Sequence, residues 1–303
     1  MTSLRFVATN SDSPYARSDH RSHWTFSSEK KLENVRSKRH RVLEKRKSQG
    51  SKVKKEPTLS SVDEAVVLLH FQRKLMEACK MLKAHETVEA TALAYFKRYY
   101  LVHPLNQSNS PLPVLITCIL LAGKIEEQHG PGRPAGTRLE LYKILDILQY
   151  EDHDQILACE LKLLETLDFH LRVFHPYAPL RALLRKFTRS TEQDFETGAF
   201  EADVRKIVRS SFLSDCMFLY SPGQIALAAL ELSCSHSSSP WNRLLPDFKK
   251  FADSLCGSSG EGGYERSSLR GAIDGAISKI TSSQQIPTRD TIVRACAAVS
   301  IRV

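Results

Sequence analysis

The sequence predicts an all-α protein made of two consecutive five-helix repeats with flanking amino- and carboxy-terminal helices. Three observations carry that prediction. Apolar residues recur at three and four spacings through most of residues 62–280, with few strand-like alternations. Two nearly all-apolar runs, Pro113-Val-Leu-Ile-Thr-Cys-Ile-Leu-Leu-Ala-Gly123 and Pro222-Gly-Gln-Ile-Ala-Leu-Ala-Ala-Leu-Glu-Leu232, each begin with a proline suited to a helix start. A helix that is apolar on every side must be surrounded, so each run belongs at the centre of its own bundle.

Taken in order, residues 1–22 are polar and poor in apolar groups, which predicts a flexible arm. Order is expected from His23-Trp-Thr-Phe26 onward, in a segment 23–57 whose helix is capped by Thr25 or Ser27 and has Glu29 in its first turn. Leu32, Val35, Val42 and Leu43 give that helix only a sparse apolar stripe. The first repeat, 58–172, should hold helices over 62–82, 88–100, 113–127, 139–148 and 152–167, separated by Pro104, Asn106, Gly130 and Gly136. The second, 173–284, should hold helices over 176–187, 202–220, 222–234, 241–255 and 269–280, with residues 188–200 as a loose link. A short helix after Pro287 closes residues 285–303 and is expected near the amino-terminal helix.

The net charge of +9 is concentrated rather than spread. Twelve basic residues between Lys30 and Lys55 face only Glu33 and Glu44, so the remainder of the chain is close to neutral. A general phosphate-tracking surface is therefore not expected, and direct nucleic-acid binding is disfavoured. Within the basic stretch, Lys38, Arg39, Arg41, Lys45, Arg46, Lys47, Lys54 and Lys55 match a nuclear-import signal or a local phosphate-binding surface, the alternative being a solvated helix and loop. Seven cysteines lie far apart in apolar stretches without metal-ligand spacing, which reads as small buried hydrophobes in a reducing compartment. No secretory leader or membrane-length apolar run is expected, and no metal site, cofactor loop or catalytic constellation is visible. Ser13-Pro14 beside Arg17 and Arg21 reads as a kinase target in the arm.

The sharpest chemical feature is a pair of charges set among leucines. Lys124 ends the apolar run Leu120-Leu-Ala-Gly-Lys124-Ile-Glu-Glu127, and Glu160 stands in Ala158-Cys-Glu160-Leu-Lys-Leu-Leu-Glu-Thr-Leu-Asp-Phe-His-Leu171. Ionised groups there need an opposite charge, and each is the other's natural partner. Eleven positions after its proline, the first repeat has Lys124 and the second has Ser233, so only the first is expected to own such a pair.

These residues resemble the cyclin box, and the likeness spans roughly residues 60–300. Within the cyclins, His23-Trp-Thr-Phe-Ser-Ser-Glu29, Ala94-Tyr-Phe-Lys-Arg-Tyr-Tyr100, Asp168-Phe-His-Leu171 and Leu219-Tyr-Ser-Pro-Gly-Gln-Ile-Ala-Leu227 look most like the cyclin H branch. The resemblance implies a nuclear regulatory subunit, without chemistry of its own, that activates a cyclin-dependent kinase. It implies membership of the CDK-activating kinase and TFIIH, together with an assembly subunit, and phosphorylation of kinase activation loops and the RNA polymerase II carboxy-terminal tail. By the same resemblance Lys124 and Glu160 meet the kinase segment leading into its C helix, and Leu121, Ile125, Leu164 and Leu171 form the groove for that helix. Glu126 and Glu127 could touch basic groups of the kinase or form a solvated helix end. Val67-Leu-Leu-His-Phe71, with Lys74 in place of a tryptophan, departs from the segment by which cell-cycle cyclins recruit substrates. A cyclin C-like subunit of the Mediator kinase module is the alternative within the family. A TFIIB-like DNA-bound factor is the alternative from another class.

Overall fold

A computed structural model describes residues 13–48, 60–106, 110–129, 141–191, 193–236, 239–255, 266–283 and 287–298. Every regular element among them is helical, and the chain divides into two compact units. One comprises Ser28–Val173 with Ile286–Val303; the other comprises Met1–Ser27 with Phe174–Gln285.

The first unit contains α2 (Glu29–Ser48), α3 (Ser61–Met81), α4 (Glu86–Val102), α5 (Pro111–His129), α6 (Leu141–Leu148), α7 (His153–Thr166) and α14 (Arg289–Ala297). Helix α3 starts where the Ser60 hydroxyl oxygen accepts the Asp63 amide at 3.1 Å, with Asp63 and Glu64 favourable in its first turn. Its buried stripe, Val67, Phe71, Leu75 and Ala78, follows the three and four spacing. Helix α5 is central: α3, α4, α6 and α7 all pack on it, and Ile116, Ile119 and Ala122 are fully buried. Truncating Ile119 to alanine would cost about 2–5 kcal/mol through lost transfer energy and a cavity.

The second unit contains α1 (Asp19–Trp24), α8 (Tyr177–Ser190), α9 (Thr197–Ser211), α10 (Cys216–Leu219), α11 (Pro222–Ser235), α12 (Leu245–Leu255) and α13 (Arg266–Ser282). Here α11 is the hub, packed by α8, α9, α12 and α13. Ser221 and Gln224 close a reciprocal capping box and Pro222 occupies the first turn. Phe187, Phe200, Phe248 and Phe251 form an aromatic core, edged by Trp241, whose indole N–H donates to Asp203 at 2.9 Å. Gly275 allows Tyr220 to lie against α13, since a Cβ there would come within 2.3 Å of the Tyr220 hydroxyl.

Several expectations change. Residues 13–24 are folded: Ser13, Tyr15, His20 and Trp24 are buried, and the Ser18 hydroxyl caps α1. Ser13 accepts the Ala16 amide through its hydroxyl at 3.0 Å, which removes it as an accessible kinase target. The cap of α2 is Ser28, whose hydroxyl accepts the Lys31 amide at 3.3 Å, rather than Thr25 or Ser27. The stretch read as one helix over 202–220 breaks after Ser211 and resumes as α10, while α8 and α9 claim most of the supposed loose link. Helices α2 and α14 belong to the same unit, where α2 packs on α4 and α14 on α3. None of the six described cysteines is in a disulfide, and burial pushes the Cys234 thiol up to about 12. Among the described residues no helix is long and apolar enough to cross a membrane.

Candidate functional site

The structure brings Lys124 and Glu160 together. Helix α5 carries the lysine, α7 carries the glutamate, and the Lys124 ammonium donates to Glu160 Oε1 at 2.5 Å. Lys124 keeps 41% of its side chain exposed and Glu160 keeps 18%. An ammonium has three N–H donors, so this geometry leaves lysine donors available at the surface.

Around the pair, α7 shows two apolar faces. Ile156, Leu163 and Leu167 are buried against the bundle, whereas Leu157 and Leu161, flanking Glu160, are 58% and 59% exposed. Leu164 is half-buried and falls on the same side as Leu157 and Leu161 by helical spacing. The reversal after α7 is tight: Asp168 and Phe169 both adopt positive φ, 49° and 57°, and Phe169 is left largely exposed. Tyr95 donates its hydroxyl to the Leu171 carbonyl at 2.5 Å, and Arg98 donates to the His170 carbonyl at 3.3 Å, fixing the exit of this segment.

The predicted groove residues separate. Ile125, Leu164 and Leu171 are half-buried, but Leu121 is buried in the bundle and is not an open contact. Glu126 is not a solvated end: it accepts the Thr91 hydroxyl at 2.6 Å from α4. The side chain of Glu127 lies outside the described residues. Leu157 and Leu161 were missed by sequence reasoning, although their spacing from the core stripe of α7 marks a second apolar face.

Arg39, assigned on sequence to a nuclear-import signal, is instead a structural clamp. Its guanidinium is 8% exposed, pairs with Glu64, and donates to the carbonyls of Tyr100 and His103, the latter at 3.3 Å. Burial lowers its pKa, opposed by Glu64. Glu64 also accepts the Leu105 amide at 3.0 Å, so α2, α3 and the end of α4 meet at one buried ion pair. Lys38 is exposed. The side chains of Arg41, Lys45, Arg46 and Lys47, and the whole of Lys54 and Lys55, lie outside the described residues. Val67 and Phe71 of the divergent recruitment segment face the core, and α14 packs on the helix that carries them.

The second unit has its own pair, contrary to the expectation that only the first would. Arg270 of α13 donates to both carboxylate oxygens of Glu231 on α11, at 2.9 and 2.6 Å, and also pairs with Asp274. Counting from the prolines missed it because the carboxylate lies two residues before Ser233 and the signs are exchanged.

Two five-helix bundles with hub helices and this surface pair define a cyclin-type scaffold. Residues 32–172 match the cyclin N-terminal domain and residues 175–259 match the cyclin C-terminal domain, so the chain belongs to the cyclin family. It is 29% identical over 184 residues to Cyclin-H1-1 of Arabidopsis thaliana, covering 59% of this chain and 52% of the relative. A putative cyclin-H of Dictyostelium discoideum is 28% identical over 232 residues, 72% of this chain and 75% of the relative. Cyclin-C of Drosophila melanogaster is 34% identical over 179 residues, 55% of this chain and 62% of the relative. The chain thus spans about half the length of the Arabidopsis relative. A chain in the CAK complex of Chaetomium thermophilum bound to ATP-gamma-S superposes with a TM-score of 0.72 at 22% identity, covering 95% of this chain and 83% of that one. A chain in the yeast TFIIK complex gives 0.66 at 19% identity, covering 88% and 100%. At those identities the structures speak for the shared fold.

Proposed function

We propose that this cyclin is the activating subunit of a CDK-activating kinase of the TFIIH type. The observation that carries the reading is the half-buried pair Lys124–Glu160 set beside exposed leucines of α7. An interface of this make-up combines an apolar contact with charge-assisted hydrogen bonds to a partner backbone. Its occupant is the kinase C helix and the segment before it, received by Leu157, Leu161 and Leu164 with Ile125 and Leu171 beside them. Pressing that helix inward lets its glutamate pair with the phosphate-binding lysine of the kinase, which phosphoryl transfer requires. The chemistry stays in the kinase, and the cyclin acts by shifting the kinase's population toward the active state. The similarity to two cyclin-H sequences supports the branch and, with it, the assembly subunit, the polymerase tail and kinase activation loops as targets, and a nuclear location. The similarity to Cyclin-C favours a second reading, a subunit of the Mediator kinase module. Affinity purification of the tagged chain with mass spectrometry tests both: recovery of TFIIH subunits supports the first, and recovery of Mediator subunits without TFIIH overturns it for the second.

A further inference from the structure

An open cleft of about 320 Å³ lies between α8 and the start of α9 in the second unit, lined by Arg181, Arg185, Arg189, Thr188, Thr197 and Glu201. The arginines are spaced by four residues, so they form one row along α8, each about 6 Å beyond the last. Like charges at this spacing repel one another. The helix dipole favours Arg189 in the last turn of α8, but Arg181, four residues after the first, gains nothing from it. None of the three has a hydrogen bond or ion pair among the described residues. The lining carboxylate does not neutralise them, because Arg205 donates to Glu201 Oε1 through two nitrogens, at 2.9 and 2.6 Å. That guanidinium also lies over the Tyr177 ring, 5.7 Å from its centroid.

Further donors face the same space. Thr197 opens α9, and Glu196 at its N-cap makes no side-chain hydrogen bond to the first-turn amides. A Cβ added at Gly198 would meet nothing within 4 Å, so this first turn is open. A row of planar cations, a hydroxyl and a helix amino terminus together match a tetrahedral dianion.

We propose that this cleft binds the phosphate of a phosphoserine or phosphothreonine peptide. The row extends about 12 Å, long enough to engage a phosphate and an acidic neighbour in the same segment. A nucleic acid fits less well: no aromatic side chain lines the cleft for base stacking, and the chain outside residues 30–55 is close to neutral. The site shares no residue with the kinase-facing surface and stands whether or not that reading holds.

The test is fluorescence anisotropy with the full chain and a labelled ten-residue peptide bearing one phosphothreonine between two glutamates, beside its unphosphorylated twin. Binding at least tenfold tighter for the phosphorylated peptide is expected, with at least a tenfold loss in Arg185→Glu and a smaller loss in Thr197→Val. Far-ultraviolet circular dichroism checks the fold of each variant, and Arg181→Gln replaces Arg185→Glu should the latter unfold. Equal affinity for the twins would overturn the proposal, as would unchanged binding in the folded arginine variants. Preferential binding of a single-stranded oligonucleotide over the phosphopeptide would assign the cleft to nucleic acid instead and overturn it equally.

Discussion

The hub helix of each repeat is tied to its last helix by an ion pair, but the two pairs are built with opposite polarity. In the first repeat the hub α5 supplies the cation, Lys124, and both partners keep some contact with solvent. In the second the hub α11 supplies the carboxylate, Glu231, only 5% exposed and held bidentately by Arg270, which Asp274 steadies from the outside. The second pair is saturated, with every strong partner inside the unit. The first is left with unspent donors beside exposed leucines, and we propose that this difference separates a fastening from a contact surface.

The buried Arg39–Glu64 pair is the reference for what a purely structural bridge is worth, and breaking it should give the largest effect. Glu64→Gln is expected to cost about 3–5 kcal/mol in urea unfolding, since it strands a buried guanidinium. A loss below about 1 kcal/mol would show the clamp to be ornamental.

Lys124→Glu should instead leave unfolding within about 1 kcal/mol of wild type, the scale of a solvent-screened pair. It should weaken kinase association at least about thirtyfold, as loss of a charge-assisted interfacial contact does. Exchanging both residues, Lys124→Glu with Glu160→Lys, restores the intramolecular attraction and should not restore kinase binding. Calorimetric titration with the kinase decides: recovery in the double variant would make the pair a fastening like that of the second repeat.

Glu231→Gln should cost about 1–3 kcal/mol without affecting kinase association, because a charged hydrogen-bond acceptor is lost but Arg270 keeps Asp274. Kinase binding that fell in parallel with Lys124→Glu would erase the proposed division of labour.

The smallest effect is in pH. Burial, with Lys162 and Arg39, lowers His103 from 6.5 to about 4, and the ring bonds to the Thr166 hydroxyl at 2.8 Å. The unfolded chain therefore binds this proton more readily than the folded one. Stability contributed by neutral His103 is complete above pH 6.5 and drains away as pH falls toward 4. Because the ring is only partly buried, about 1 kcal/mol is expected. Urea unfolding at pH 7 and pH 5 should differ less in His103→Gln by that amount.

How much of this was legible follows from the range of the forces involved. The helices and their two hubs were readable because apolar spacing and proline starts are local signals, and Lys124 and Glu160 could be paired because each was alone among leucines. Arg39 was not readable: it stands in a run of like charges, and its partners are backbone carbonyls that converge only when α4 ends at His103. The fold of residues 13–24 was hidden for the same reason, since the Phe174 amide that donates to His20 at 3.0 Å lies 154 positions away. The burial of Leu121 and the bond from Thr91 to Glu126 were not readable, because α5 is wrapped too fully for helical spacing to say which side faces out.

The interleaving of the two units carries a consequence for biosynthesis. The segment ending at Ser27 belongs with a unit that resumes only at Phe174, and α14 belongs with a unit otherwise finished at Val173. At about 5–20 residues per second, the first segment waits roughly 7–30 s for its partner to leave the ribosome. The face of α3 that α14 covers stays bare until residue 297 has emerged. Neither half can close in its own turn, so nascent chains of this protein pass through a long interval with an apolar flank uncovered, a natural point of engagement for a chaperone.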